Sequence, residues 1–104
     1  MDDLEQKSFE IISSVGYAKS CFMKAIQLAY EEKYSEAQKA IDEGNEYFTQ
    51  GHIVHASMLQ QEASGNHIMM TLLLTHAEDQ LMSTELCKTM ANEIIRLYKK
   101  VGNK

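Results

Sequence analysis

The sequence predicts an all-α protein: one domain over residues 1–104 that folds as an antiparallel up-down-up bundle of three helices. Proline is absent, and good helix formers such as Ala, Leu, Met, Glu, Gln and Lys are plentiful. Apolar residues recur at helical spacing in three long segments. Short polar segments separate them, and short connections favour antiparallel neighbours.

The first helix is predicted from about Asp3 to Ala29. One apolar stripe along it consists of Leu4, Ile11, Val15, Ala18, Phe22, Ala25 and Ala29. A second, adjacent stripe consists of Phe9, Ile12, Gly16, Met23 and Ile26. Two adjoining stripes make the wide apolar face that helices use for packing in a bundle.

The second helix is predicted from about Ser35 to Ala63. Ser35 and Gln38 have the spacing of a capping box, in which both side chains bond free N–H groups at a helix start. The apolar stripe of this helix consists of Ala37, Ile41, Gly44, Phe48, Gly51, His55 and Met58. A glycine inside a helix costs about 1 kcal/mol relative to Ala. Gly44 and Gly51 therefore predict a close helix–helix contact, and simple tolerance of glycine is the alternative.

The third helix is predicted from about His67 to Lys100. The preceding segment Ser64-Gly65-Asn66 supplies a glycine as a helix stop and Ser or Asn as the next cap.

Composition excludes several classes of function. Ten basic and fifteen acidic residues give a net charge of -5, which argues against binding to nucleic acid. Cys21 and Cys87 form no C-x-x-C motif, so buried free thiols in a reducing compartment are expected. No apolar run reaches the ~18 residues of a membrane helix, and the acidic N-terminus lacks the features of a signal peptide. We expect a cytoplasmic protein without direct membrane insertion.

Polar residues interrupt one apolar stripe of the third helix, which we call the His76 stripe. His76, Asp79 and Ser83 follow one another on it, and Gln80 adjoins them because positions three or four apart are neighbours on a helix. The His76 stripe consists of Met69, Leu72, His76, Asp79, Ser83, Leu86, Met90, Ile94, Leu97 and Val101. We expect these polar groups to face inward, where unpaired they would cost several kcal/mol. A site, a bound ion or a wet subunit interface explains this pattern better than core packing.

A histidine without a cofactor can accept a phosphoryl group and pass it on, because phosphoryl transfer depends mainly on positioning and charge stabilisation. Its imidazole must be neutral near pH 7, with one ring nitrogen free. The ordinary alternative for His76 is a structural histidine that bonds Asp79. His52 and His55 could hold a metal at their spacing, but no obvious third ligand completes a zinc set.

The segment His76-Ala77-Glu78-Asp79-Gln80-Leu81-Met82 resembles the signature of the lactose/cellobiose class of enzyme IIA proteins. These proteins belong to the bacterial phosphoenolpyruvate-dependent sugar phosphotransferase system. The resemblance extends over nearly the whole chain, through Ile11-Ile12 and Gly16, the segment from Gln60 to Ala63, and Met90 to Tyr98.

The resemblance implies that His76 is phosphorylated as a tele-phosphohistidine. The donor would be the phosphocarrier protein HPr, and the acceptor a cysteine of the cognate IIB protein. A sugar of the lactose/cellobiose type, a β-disaccharide, would be phosphorylated during passage through the IIC permease. The resemblance further implies a homotrimer in which Asp79 binds a divalent cation of the Mg²⁺ type at the axis. Gln80 would be a group close to His76.

One departure from the family pattern lies in the second helix. Family members often have A-H-x-x-Q-T where this chain has Gly51-His52-Ile53-Val54-His55-Ala56, so His55 and Ala56 replace a polar pair. Two alternatives to a IIA phosphocarrier remain. The first is a non-catalytic helical interaction module with a structural His76/Asp79 pair. The second is a histidine-phosphotransfer bundle of two-component signalling, which usually has H-x-x-K-G at its histidine.

Overall fold

The computed structural model describes residues 2–102 and confirms the predicted three-helix bundle. The helices are α1 (Asp3–Tyr30), α2 (Tyr34–Ala63) and α3 (Leu72–Gly102). Together they form a rod of 56 × 24 × 19 Å. Within residues 2–102 no helix has an apolar stretch long enough to cross a membrane.

The core lies along α1, which packs closely against both α2 and α3, whereas α2 and α3 touch each other much less. The first predicted stripe of α1 supplies the most deeply buried side chains, because nearly all its members face the other two helices. The larger buried apolar residues are Ile11, Val15, Phe22, Ile41, Phe48, Met58, Ile68, Leu74, Leu81 and Ile95. The orientation of α3 is therefore set mainly by its contact with α1.

Gly44 and Gly51 are buried where α2 approaches α1, which confirms the predicted close helix contact. A Cβ added at Gly44 would lie 2.6 Å from Cε1 of Phe22. A Cβ added at Gly51 would lie 2.8 Å from Cγ1 of Val15. Both distances are shorter than carbon atoms tolerate, so the α1–α2 spacing requires glycine at both positions.

The turn between α1 and α2 differs from its prediction. Glu32 adopts a left-handed backbone conformation with φ 62°, and the Lys33 N–H donates to the Leu28 carbonyl at 2.9 Å. This tight reversal starts α2 at Tyr34, with no side-chain cap. The predicted capping box at Ser35 is wrong, because Ser35 already lies inside the first helical turn.

The connection between α2 and α3 contains the predicted glycine stop. Gly65 has φ 98°, a conformation that glycine adopts without strain. The Asn66 N–H donates to the Gln61 carbonyl at 3.1 Å, which closes the end of α2.

The third helix begins at Leu72, later than the predicted start near His67. Thr71 caps it, because its Oγ1 accepts the N–H of Leu74 at 3.0 Å. Residues 64–71, between α2 and α3, are not helical, and Ile68 among them is buried in the core. Burial of Ile68 and the Thr71 cap explain why helical periodicity alone placed the start too early.

Both cysteines are free thiols, as predicted. Cys21 is buried and Cys87 is half-buried. Burial is the main reason why the pKa of each thiol lies above its usual value.

Candidate functional site

The His76 stripe faces away from the core of its own protomer, so the predicted inward orientation is wrong. The exposed fractions are 88% for Leu72, 63% for Leu86 and 59% for Leu97. The core-facing residues of α3 belong to other positions, namely Leu74, Ala77, Leu81, Thr84, Ala91 and Ile95. Because α3 is apolar along both lines, periodicity could not tell which of them faces α1.

His76 and Asp79 are both exposed on α3. The predicted desolvation cost of these polar groups therefore does not arise within one protomer. An exposed imidazole is open to an approaching reactant. Positions three apart on a helix are neighbours, so both residues lie on one face of α3.

Gln80 and Ser83 are joined to α1 by Lys19. The Lys19 Nζ donates to Gln80 Oε1 at 3.4 Å and to Ser83 Oγ at 3.0 Å. Ser83 Oγ in turn donates to the Gln80 carbonyl at 3.2 Å. Lys19 and Gln80 are half-buried. A cation from α1 thus lies next to the polar patch of α3.

His55 and Glu78 connect α2 to α3 beside this patch. His55 Nε2 lies 2.8 Å from Glu78 Oε2, and the side chains are 17% and 34% exposed. Glu78 is two positions after His76 and so points to a different side of α3. The pair therefore links α3, which carries His76, to α2.

The other histidines stand apart from this pair. His52 is exposed and packs near Phe48, with 6.1 Å between ring centroids. His67 is exposed, and its Nδ1 lies 3.4 Å from Glu62 Oε1. Among residues 2–102 no group of three His, Cys, Asp or Glu side chains could hold a metal ion. One protomer therefore offers Asp79 alone to a cation on the His76 stripe.

Two contacts beside the candidate site were missed from the sequence. Lys19 lies between Gly16 and Met23, at the place where a further member of the second stripe of α1 belongs. A lysine inside an apolar stripe is the signal that could have revealed it. The contact of Glu78 with His55 had no such signal, because it depends on how α2 and α3 align.

The sequence model of the family described as "PTS system, Lactose/Cellobiose specific IIA subunit" matches residues 6–99. The chain is 38% identical over 100 residues to the lichenan-specific phosphotransferase enzyme IIA component of Bacillus subtilis, covering 96% of this chain and 91% of that protein. It is 32% identical over 99 residues to the lactose-specific EIIA component of Staphylococcus epidermidis, covering 95% of each.

Solved structures agree with these similarities. The cellobiose-specific enzyme IIA of Bacillus anthracis superposes with a TM-score of 0.96 at 36% identity, over 100% of this chain and 95% of that one. The chitobiose IIA protein, solved in complex with HPr from the Escherichia coli phosphotransferase system, gives a TM-score of 0.84 at 24% identity, over 98% and 99% of the two chains. At this identity, the similarity to the chitobiose IIA protein supports the fold alone.

Proposed function

The chain belongs to the lactose/cellobiose-specific enzyme IIA family of the sugar phosphotransferase system, and we therefore propose that His76 is its phosphoryl carrier. HPr is the proposed donor, in line with the complex formed by the chitobiose IIA protein. A cysteine of a IIB protein is the proposed acceptor. The phosphoryl group then goes to a β-disaccharide of the lactose/cellobiose type as it passes the IIC permease.

The chemistry requires only bond exchange at one ring nitrogen. The Nε2 lone pair of neutral His76 attacks the phosphorus as the P–N bond to the donor histidine breaks, and the donor imidazole leaves with its own lone pair. The Nδ1 proton of His76 stays in place. In the second transfer a cysteine thiolate forms a P–S bond while the P–N bond to His76 breaks, which restores the neutral imidazole.

The observation that carries this proposal is the exposure of His76 on α3. The donor and acceptor are both proteins, and each must bring its reacting atom in line with the ring nitrogen. An exposed imidazole permits such an approach by two partners in turn. A histidine that only bonded Asp79 within a core would be buried instead.

Intact mass after incubation with phosphoenolpyruvate, enzyme I and HPr tests the proposal. We expect the wild type to gain one phosphoryl group that is lost in acid, and His76→Ala to gain none. His67→Ala is the matched control, because His67 is also an exposed histidine, with a side chain 85% exposed. Addition of IIB should then remove the phosphate from the wild type.

An unmodified wild type in the presence of active donor proteins would contradict the phosphocarrier proposal. The interaction-module alternative would then take its place. Phosphate that persists on His76→Ala would place the acceptor at another residue.

We further propose that three copies of the chain assemble through the His76 stripe, with Asp79 at the axis and His76 at the edge of the interface, where its ring stays open to partner proteins. Its apolar members are widely exposed, with Leu72 at 88% and Leu86 at 63%. From Asp79 to Met90 the members alternate steps of four and three residues, the spacing of a coiled-coil seam. Association of three α3 helices would cover these side chains.

Sedimentation equilibrium tests the assembly. We expect a mass about three times the 11.8 kDa of the protomer. Leu86→Glu should give monomers, because each seam would acquire charges without partners. Ile53→Glu is the control, since Ile53 is 62% exposed on α2. A monomeric wild type, or a Leu86→Glu variant that stays trimeric, would refute the interface.

A divalent cation of the Mg²⁺ type is proposed at the axis of this trimer. Asp79 lies on the seam, so three copies would bring three carboxylates together. Carboxylate oxygens suit Mg²⁺, and a bound cation would neutralise charges that otherwise repel. This donor chemistry fits the ion only in the assembled state.

Chelation tests the cation proposal. EDTA should lower the thermal midpoint of the wild-type trimer, and Mg²⁺ should restore it. Asp79→Asn should be insensitive to both, because it removes the repulsion together with the ligand. Glu85→Gln, at another exposed carboxylate of α3, should behave like the wild type. A wild-type midpoint that ignores EDTA would refute the metal site.

We also propose a cytoplasmic location. Its support is the pair of free thiols, which reducing compartments preserve.

A further inference from the structure

Lys19 is an unusual member of an apolar stripe. The second stripe of α1 runs through Ile12, Gly16, Met23 and Ile26, and Lys19 occupies the position between Gly16 and Met23. Its side chain is half-buried against α3. A lysine here brings a charged group to the contact between α1 and α3, which core packing alone does not explain.

The partners of Lys19 are neutral oxygen atoms. Lys7 and Lys33 each pair with a carboxylate, at 3.3 Å in both cases. Lys19 instead donates to Gln80 Oε1 at 3.4 Å and Ser83 Oγ at 3.0 Å. Lys19, the polar residue in the α1 stripe, thus contacts Gln80 and Ser83 on the turn of α3 that follows His76.

This contact fixes the orientation of the Gln80 carboxamide. A lysine ammonium can only donate, so it must face the carboxamide oxygen. The NH₂ end, which carries two donors, is then turned away from Lys19. Side chains on a helix lean toward its N-terminus, and Gln80 is one turn after His76. The NH₂ group is therefore available to a group bound at His76, one turn earlier on the same face of α3.

We propose that Lys19 is a positioning residue for phosphoryl transfer: it holds the Gln80 oxygen so that the Gln80 NH₂ can donate to phosphoryl oxygens on His76. This inference rests on the proposed phosphorylation of His76. Phosphoryl oxygens are acceptors only, so a carboxamide turned the other way would present its oxygen and repel them. Ser83 completes the set, because it holds the lysine ammonium through a second bond.

The first test measures the Gln80 side chain in the unphosphorylated protein. ¹⁵N relaxation of its NH₂ group should show restricted motion in the wild type, free motion in Lys19→Met, and restricted motion again in Lys19→Arg. Lys24→Met is the matched control, because Lys24 is an exposed lysine of the same helix. Unchanged Gln80 motion in Lys19→Met would overturn the inference, whatever the outcome at His76.

The second test is a double-mutant cycle on the rate of phosphorylation by HPr. Lys19→Met should lower kcat/KM about tenfold, the effect of one oriented hydrogen bond to a charged group, and Lys19→Arg should restore it. In a Gln80→Ala background the same lysine substitution should have almost no further effect. An equal loss in both backgrounds would show that Lys19 acts directly on the phosphoryl group, which refutes the positioning role.

The two tests separate this inference from the proposed function. A wild type that HPr cannot phosphorylate counts against the phosphocarrier role. The motion of the Gln80 NH₂ group still decides whether Lys19 orients that side chain.

Discussion

Gly44→Ala should destabilise the protein, although alanine is the better helix former. In a helix interior the change from Gly to Ala gains about 1 kcal/mol. Here the new Cβ would lie 2.6 Å from Cε1 and 2.9 Å from Cδ1 of Phe22. That ring is fully buried, so it cannot move into solvent, and overpacking of this kind costs about 1–3 kcal/mol. The expected net loss is about 1 kcal/mol.

Gly16→Ala is the matched control. Gly16 lies inside α1, and apart from the adjacent residues and backbone of α1 itself no atom lies within 4 Å of the Cβ that alanine would add. The same substitution should therefore stabilise by up to about 1 kcal/mol. Urea denaturation followed by circular dichroism measures both variants. The protomer concentration must be held constant, because assembly contributes to apparent stability.

The two alanine variants should differ by about 2 kcal/mol in free energy of unfolding. Replacing the Phe22 ring with the smaller leucine side chain should relieve the contact. The Gly44→Ala penalty should therefore shrink in a Phe22→Leu background. Equal stabilisation by Gly44→Ala and Gly16→Ala would refute the claim that the α1–α2 spacing requires a glycine at position 44.

Three further measurements follow from local structure. Glu32→Gly should stabilise the protein by about 0.5–1 kcal/mol in urea denaturation. The reason is that Glu32 holds a left-handed conformation, which costs a residue other than glycine about 1–2 kcal/mol. A lower free energy of unfolding in the variant would contradict this. Thr71→Ala should cost about 1 kcal/mol through loss of the α3 cap, while Thr71→Ser keeps it. Because burial raises the pKa of Cys21 and Cys87, alkylation should be slow at pH 7 and faster in urea. Alkylation that is equally fast without urea would argue against burial. Their raised folded-state pKa values should also lower the free energy of unfolding as the pH rises past the usual thiol pKa.

The fold class was predictable because three long periodic segments leave few other arrangements. The glycine stop at Gly65 and the close contacts at Gly44 and Gly51 were also visible, since glycine has a specific local cost. The start of α3 was not, because it depends on burial of Ile68 and on the cap at Thr71. The burial is a tertiary contact and the cap is a local hydrogen bond, and the spacing of apolar residues predicts neither.

The candidate site was predictable in part. His76, Asp79 and Gln80 could be placed on one patch, because the helix fixes their spacing. Their orientation could not, because α3 has two apolar lines and only packing against α1 selects between them. The contacts of Lys19 and of the His55–Glu78 pair depend on the alignment of separate helices, which a single sequence does not record.

The unequal packing of the three helices bears on the order in which the chain folds. The tight reversal between Tyr30 and Tyr34 makes the α1–α2 contacts local in sequence, and local contacts form fast. Helix α3 is joined through a longer non-helical segment and rests mainly on α1. Its docking is the step that brings Gln80 to Lys19 and Glu78 to His55. We therefore expect α3 to dock after the α1–α2 pair has formed, which would complete the surroundings of His76 last.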